Sequence, residues 1–129
     1  MRYLLAATMA FAQSGSVGIF NDMVGGDCNL PDTTPGLTPY YVVHVLTMGS
    51  TACQFMAPKP ACALATYLSD GAVFPVTVGI SQTGVSIGYG TCRVGPIHVL
   101  TMSFFTTGTT APCCYYKVMC DPLGQDACA

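Results

Sequence analysis

Short runs of β-branched and aromatic residues, each ended by glycine, proline or a polar turn, make up most of this chain. The clearest runs are residues 40 to 48, 72 to 80, 85 to 89 and 97 to 105. Apolar residues that alternate with polar ones in runs this short predict β-strands. Only residues 61 to 68 have helix-forming composition. They predict one short helical turn at most, because Ser69-Asp70-Gly71 follows directly.

The strand pattern predicts an all-β fold built as one domain. Further strands are expected at residues 13 to 20, 53 to 56 and 114 to 119, and residues 72 to 90 read as a hairpin. Pro75 cannot donate to a strand ladder, so its strand should lie at a sheet edge or contain a bulge. About seven short strands in 129 residues favour a single antiparallel β-sandwich, immunoglobulin-like in outline. The immunoglobulin Cys-Trp-Cys signature is missing, since the chain has no tryptophan.

The first twelve residues have the pattern of an export signal. Met1-Arg2 is positively charged, an apolar run follows, and Ala10-Phe11-Ala12 fits a cleavage site for small residues. The apolar run is too short to span a bilayer. The pattern predicts a signal peptide at residues 1 to 12 and a folded domain at residues 13 to 129. The mature protein is then expected to be secreted, periplasmic or at the cell surface, without a membrane-spanning segment.

The cysteine count is even and all cysteines follow the predicted cleavage site. An even number behind an export signal predicts disulfides formed in an oxidising compartment. Structural zinc sites use closely paired cysteines, and no Cys-x-x-Cys pair occurs here. The candidates for disulfide bonding are therefore all eight cysteines: Cys28, Cys53, Cys62, Cys92, Cys113, Cys114, Cys120 and Cys128.

Connectivity is not determined by these positions, because eight cysteines allow 105 pairings. Cys53 and Cys62 bracket the turn at Pro58-Lys59-Pro60, which makes them the preferred local pair. The adjacent Cys113 and Cys114 should have two different partners, because a bond between neighbours strains the peptide. Their remaining candidate partners are Cys28, Cys92, Cys120 and Cys128.

Charge is sparse, with four Lys and Arg and six acidic residues that are all aspartate. Nucleic-acid binding requires clustered basic residues, and none are clustered here. No Gly-x-Ser-x-Gly elbow positions a serine nucleophile. The aspartates sit in turns, where they bond their own backbone, and no calcium-loop pattern surrounds them. No catalytic residue is predicted on these grounds. The turn aspartates are Asp22, Asp27, Asp32 and Asp70.

A repeated pentapeptide is the strongest chemical signal. His-Val-Leu-Thr-Met occurs at residues 44 to 48 and again at residues 98 to 102, and the two copies hold both histidines. On two neighbouring strands with coinciding faces, His44, Met48, His98 and Met102 would form a ligand set soft enough for Cu(I). The alternative is an ordinary apolar core with two histidines at its border, because simple alternation predicts the same residues.

Seven segments have a distinctive local sequence: Tyr41-Val42-Val43-His44, Ala57-Pro58-Lys59-Pro60-Ala61-Cys62, Leu68-Ser69-Asp70, Phe74-Pro75-Val76-Thr77-Val78-Gly79, Ser81-Gln82-Thr83-Gly84-Val85, Pro96-Ile97-His98-Val99-Leu100 and Cys113-Cys114. Together they resemble a group of small exported bacterial proteins. The resemblance spans roughly residues 15 to 122, and it implies no activity, cofactor or catalytic residue for this chain. The group tends to have tryptophan before the Leu-Ser-Asp turn, where this chain has Tyr67, and its members often continue into a further C-terminal strand with a cysteine.

The sequence favours two functions, ahead of a hydrolase as a third. The first is a secreted or cell-surface, disulfide-rich β-domain that binds a protein or surface ligand or serves as a structural element, with no catalysis and no cofactor. The alternative is an exported copper-binding or redox protein that uses the His/Met set. Contiguous exposed apolar surface would favour the first, and convergence of the two histidine faces would favour the second.

Overall fold

A computed structural model describes residues 16–32, 34–45 and 47–119 of the chain. The predicted export segment at residues 1 to 12 lies outside this part, as do Cys120 and Cys128. The described residues form seven strands and no helix. None of them forms a helix long and apolar enough to cross a membrane. The strands are β1 (Ser16–Phe20), β2 (Gly36–Val45), β3 (Ser50–Phe55), β4 (Thr66–Ala72), β5 (Val76–Ile80), β6 (Gly84–Arg93) and β7 (Ile97–Thr106).

These strands form two antiparallel sheets, ordered β1-β2-β7-β4 and β3-β6-β5. The predicted antiparallel β-sandwich of about seven strands is confirmed. In a constant-type immunoglobulin domain the first, second, fifth and fourth strands share one sheet, and the third, sixth and seventh share the other. Here β7 takes the place of the fifth strand and β5 that of the seventh. The 4+3 outline is therefore immunoglobulin-like, whereas the connections are not.

The core lies between the sheets and is built from the alternate residues of each strand that face inward. Burying these side chains supplies the main free energy of folding, about 25 cal/mol per Å² of apolar surface. Aromatic rings meet at its centre, where Phe104 lies 5.2 Å from Tyr40 and 5.6 Å from Tyr116 between ring centroids. Its fully buried large side chains include Tyr40, Val42, Phe55, Val85, Ile87, Val99, Leu100, Met102 and Phe104.

The hairpin predicted at residues 72 to 90 is confirmed, with β5 paired to β6. Pro75 lies between β4 and β5, and β5 is an edge strand of its sheet, as the proline predicts. Gly79 has φ +94°, and an added Cβ would lie 2.2 Å from the Gly84 carbonyl oxygen. Only glycine fits this position, so the hairpin depends on it.

Two segments differ from the predicted pattern. Ala63 N donates to Pro60 O in a turn at residues 61 and 62, and the unpredicted strand β4 then begins at Thr66 because β7 pairs with it. At residues 114 to 119 no strand forms. Only Met119 pairs with Met56, as an isolated bridge.

The disulfide predicted between Cys53 and Cys62 is wrong. Cys62 is bonded to Cys114, with 5.7 Å between their Cα atoms. Cys53 lies on the inner face of β3, opposite the buried Ile87, and remains a free thiol. Cys62 lies in an exposed turn, whereas Cys53 lies in the core. The turn at Pro58-Lys59-Pro60 therefore does not bring the two cysteines together. The expectation that Cys113 and Cys114 do not bond each other agrees with this pairing.

Candidate functional site

His44, the first predicted copper ligand, faces the core from β2. Its imidazole is only 4% exposed, and its Nδ1 atom is hydrogen-bonded to the Tyr89 hydroxyl at 2.8 Å. Tyr89 comes from β6 in the opposite sheet, so this bond ties the two sheets together. Tyr89 also packs against Phe74, with 4.9 Å between ring centroids. The polar atoms of His44 are therefore used inside the sandwich.

The Cys53 thiol shares this buried group. A hydrogen bond joins it to Tyr89, and burial raises the pKa of Cys53 to about 11. Burial, with the neighbouring thiol, also raises the pKa of Tyr89 far above its usual range. Both groups are therefore protonated at neutral pH, and a protonated thiol is a poor nucleophile. The hydrogen bonds that Tyr89 makes with His44 and Cys53 therefore stabilise the core, and Cys53 is not an activated thiolate.

His98, the second predicted ligand, lies on the other face of the same sheet. Val42 pairs with Leu100 but Val43 pairs with His98, so β7 contains one extra residue, Val99. This bulge shifts the alternation, and Val99 and Leu100 both enter the core. Because Val43 pairs with His98 and the next residue, His44, faces inward, His98 faces outward.

On this outer face the His98 ring packs against Tyr41, with 5.4 Å between centroids. Its Nε2 atom lies 3.1 Å from Leu100 O and 2.9 Å from Thr101 Oγ1. A carbonyl oxygen only accepts, so the contact with Leu100 is a hydrogen bond when Nε2 carries the proton. The His98 side chain is thus hydrogen-bonded to residues of its own strand, β7.

The two methionines of the predicted set are also separated. Met48 is 93% exposed, whereas Met102 is completely buried in the core. The copper hypothesis required coinciding His/Met faces, and the structure does not bring these four side chains together. In the described part of the chain, no group of three or more His, Cys, Asp or Glu could hold a metal ion. This geometry gives no support to a copper site built from the set.

His98 is expected to titrate below its ordinary range. Burial lowers its pKa from 6.5, and the hydrogen bond to Leu100 opposes this only in part. The pKa of His98 is lower in the folded than in the unfolded chain. The unfolded chain therefore binds more protons when the pH lies between these two pKa values. Stability should therefore decrease between 6.5 and the native pKa and level off below it. An NMR titration of the imidazole should give a midpoint below 6.5, and His98→Gln should flatten the dependence. A midpoint at or above the ordinary value would contradict the burial argument.

Of the four described aspartates, Asp22, Asp27 and Asp32 lie in turns or loops as predicted, whereas Asp70 lies within β4, so its predicted turn position is wrong. Asp22 Oδ1 accepts from Val24 N at 3.0 Å and Gly26 N at 2.9 Å, and these backbone bonds lower the pKa of Asp22. Asp27 accepts from Asn29 N at 2.9 Å. The other two, Asp32 and Asp70, each bridge two segments.

One cluster of hydrogen-bonded polar side chains was not predicted from the sequence. Ser81 is fully buried, and Asp70 accepts from both its backbone N at 2.6 Å and its Oγ at 2.7 Å. Gln82 accepts from Lys59 N at 2.8 Å and donates to Ala57 O at 3.1 Å. The Lys59, Asp70 and Ser81 segments thus meet at one edge of the sandwich. Because each of these polar groups has a hydrogen-bond partner, we interpret the cluster as a structural link between the segments.

A row of exposed apolar side chains lies on the outer face of the three-stranded sheet. Val76, Val78 and Ile80 are 60, 68 and 45% exposed and form a row along β5 that we term the apolar ridge. Their partners on β6 are Gly88, Ser86 and Gly84, a row of small residues that we term the glycine trough. An added Cβ at Gly88 would lie 3.4 Å from Val76 Cγ1, so ridge and trough adjoin.

This face carries no charge. On β3 it continues with Ala52 and Gln54, and the Gln54 amide is bonded to Ser86 Oγ at 2.8 Å. Contiguous exposed apolar residues without charges are typical of surfaces that contact another macromolecule. The face formed by ridge, trough and these two residues is therefore the candidate functional site. Sequence alternation placed Val76, Val78 and Ile80 on one face, but it could not tell the outer face from the inner one.

No family model, curated protein or solved structure matches this chain.

Proposed function

We propose that this chain is an exported, non-catalytic structural β-sandwich that associates with a second copy of itself through the outer face of its three-stranded sheet. The observation that carries the proposal is the apolar ridge of Val76, Val78 and Ile80 beside the glycine trough of Gly84, Ser86 and Gly88. A raised row next to a lowered row of the same length is self-complementary in shape.

The symmetry of such a dimer follows from the strand positions. Adjacent strands lie about 4.8 Å apart, so β5 and β6 are displaced from each other by one strand spacing. A two-fold axis parallel to the strands and midway between them places the ridge of one copy over the trough of the other. Each copy then uses the same residues, as an isologous interface requires. Because the trough is lined by glycine and serine, the two sheets can approach closely there.

Charge favours a second copy over a strongly charged partner. The residues of the face are all uncharged, and the whole chain has a formal net charge of only −2. Two copies therefore meet without strong repulsion, and a charged ligand would find no opposite charge on this face. Strand rise and spacing give this face dimensions of about 14 by about 17 Å. This is less than the roughly 800 Å² per partner of a standard interface, so we expect association that is weak and reversible.

Other features support a structural role in an oxidising compartment. The Cys62–Cys114 disulfide is the kind of bond that persists in such compartments. The histidines and aspartates of the described chain take part in contacts that hold strands and loops. The Cys53 thiol, which is hydrogen-bonded to Tyr89, is kept protonated by burial. The N-terminal pattern of the sequence favours export on independent grounds.

Val78→Asp is expected to abolish self-association. Val78 is the centre of the ridge and is 68% exposed, so the aspartate is solvated in the monomer and has little effect on its stability. In a dimer the two carboxylates would be desolvated in an apolar interface, which is strongly unfavourable. Sedimentation velocity over a concentration series should show a rising average mass for the wild type and a constant monomer mass for V78D.

Leu37→Asp is the matched control. Leu37 is 74% exposed but lies on β2 in the opposite sheet, so L37D should associate like the wild type. Non-reducing gel electrophoresis separates this effect from dimers linked by exposed cysteines. The proposal is overturned if the wild type stays monomeric up to about 1 mM, a concentration at which even weak dimers form. It is equally overturned if V78D associates as well as L37D.

A further inference from the structure

A second feature of the molecule is a cavity of about 450 Å³ on the side of the sandwich that carries the known disulfide. Its wall is formed by two chain segments, residues 28 to 32 and residues 110 to 116, and by Tyr40 from β2. The first segment belongs to the loop between β1 and β2, and the second follows β7. The cavity therefore lies where two connections face each other.

Hydrogen bonds already hold these two segments together. Asp32 accepts from Gly108 N at 2.6 Å and also from the Thr110 hydroxyl. Tyr40 donates from its hydroxyl to Pro31 O at 2.6 Å. The Cys62–Cys114 bond fixes the second segment to the body of the domain. The anchor points at Asp32 and Thr110 lie four and three positions along the chain from Cys28 and Cys113.

Cys28 and Cys113 both line this cavity, and both are exposed free thiols. Cys113 precedes the bonded Cys114, and its backbone is left-handed, with φ 68°. A non-glycine residue in this region is uncommon and is found where the surrounding structure imposes it. Two other described cysteines are elsewhere. Cys53 is in the core, and Cys92 lies beside Gly49, where an added Cβ would be 3.0 Å from its Sγ.

We propose that Cys28 and Cys113 form a second disulfide that closes this cavity. The oxidant is a disulfide-bearing molecule, either an exported thiol oxidoreductase or a small-molecule disulfide. One cysteine thiolate attacks the oxidant disulfide and forms a mixed disulfide, and the second thiolate then displaces the oxidant sulfur. Two thiols lose two protons and two electrons, and the oxidant leaves as two thiols. The loop carrying Cys28 moves toward residue 113 until the Cα atoms reach the disulfide range of about 4.4–6.8 Å.

The test is disulfide mapping of the full chain after incubation with glutathione disulfide. Free thiols are alkylated first, and pepsin then cleaves at low pH, where thiolates are scarce and exchange is suppressed. Trypsin alone does not suffice. Pro60 protects the bond after Lys59, and the Cys62–Cys114 bond joins the fragments on either side of Arg93. We expect a species of three peptides, in which the peptide that holds Cys113 and Cys114 is linked to both the Cys28 peptide and the Cys62 peptide, and almost no alkylation at Cys28 or Cys113.

Two single variants sharpen the result. In Cys28→Ser, Cys113 should change from almost unlabelled to almost fully labelled by the alkylating reagent. In Cys92→Ser, an exposed cysteine outside the cavity is removed, and the Cys28–Cys113 peptide should persist. Full alkylation of both thiols in the oxidised wild type overturns the proposal, as does a mapped bond from either one to Cys92, Cys120 or Cys128.

Discussion

Replacing Cys62 and Cys114 together with alanine is expected to lower the free energy of unfolding by about 4 kcal/mol. The bond connects residues 52 positions apart. Chain-entropy theory assigns about 4 kcal/mol to a loop of this length, because the cross-link restricts the unfolded chain. The double replacement avoids leaving one new thiol that could pair with Cys113.

Urea unfolding under non-reducing conditions measures this effect. The midpoint should fall markedly, and the slope should rise because the uncrosslinked chain exposes more surface when it unfolds. Cys92→Ala is the control, since Cys92 is exposed and unbonded, and its effect should stay within about 0.5 kcal/mol. A double variant within about 1 kcal/mol of the wild type would show that the bond is not the principal tether of the 107 to 116 segment.

Phe104→Ala is expected to cost about 4 kcal/mol, close to the full penalty for emptying an aromatic site in a core. Phe104 is completely buried. Its ring lies within 5.2 to 5.7 Å of the rings of Tyr40, Tyr67 and Tyr116. Removing it takes away apolar burial and the edge-on ring contacts, and it leaves a cavity that a rigid sandwich refills only in part.

Phe105→Ala supplies the matched comparison at the next position. Phe105 is 46% exposed and faces outward beside Leu37, so its loss should cost about 1 kcal/mol or less. Urea midpoints at constant slope give both values. Equal costs for the two neighbours would contradict the assignment of Phe104 to the core and Phe105 to the outer face of the sheet.

Most strands were predictable because the composition of each segment by itself favours an extended backbone. The β-branched residues of β2, β6 and β7 favour extended backbone, and Pro75 correctly placed β5 at an edge. The strand β4 was not predictable, since Ser69, Asp70 and Gly71 are typical of turns. It is a strand because β7 pairs along it, and that partner lies about thirty residues further along the chain.

The candidate site was predictable only in part. Alternation identified a row of apolar residues on β5, but burial depends on which face the opposite sheet covers. The two histidines were equally ambiguous, because a bulge of one residue at Val99 decides that His98 faces outward. Adjacent apolar residues at Val99 and Leu100 are the one local signal of this bulge. Disulfide partners depend on where loops meet, which no spacing of cysteines encodes.

The position of β7 has a consequence for folding kinetics. This strand, the last in the described part of the chain, lies between β2 and β4, so the larger sheet joins residues about sixty positions apart. Folding rates fall as such non-local contacts increase. The β5–β6 hairpin can form early from local contacts, whereas β2 and β4 expose unpaired edges until residues 97 to 106 arrive. Slow sheet closure, with a risk of edge-to-edge aggregation before it, is the expected behaviour of the nascent chain.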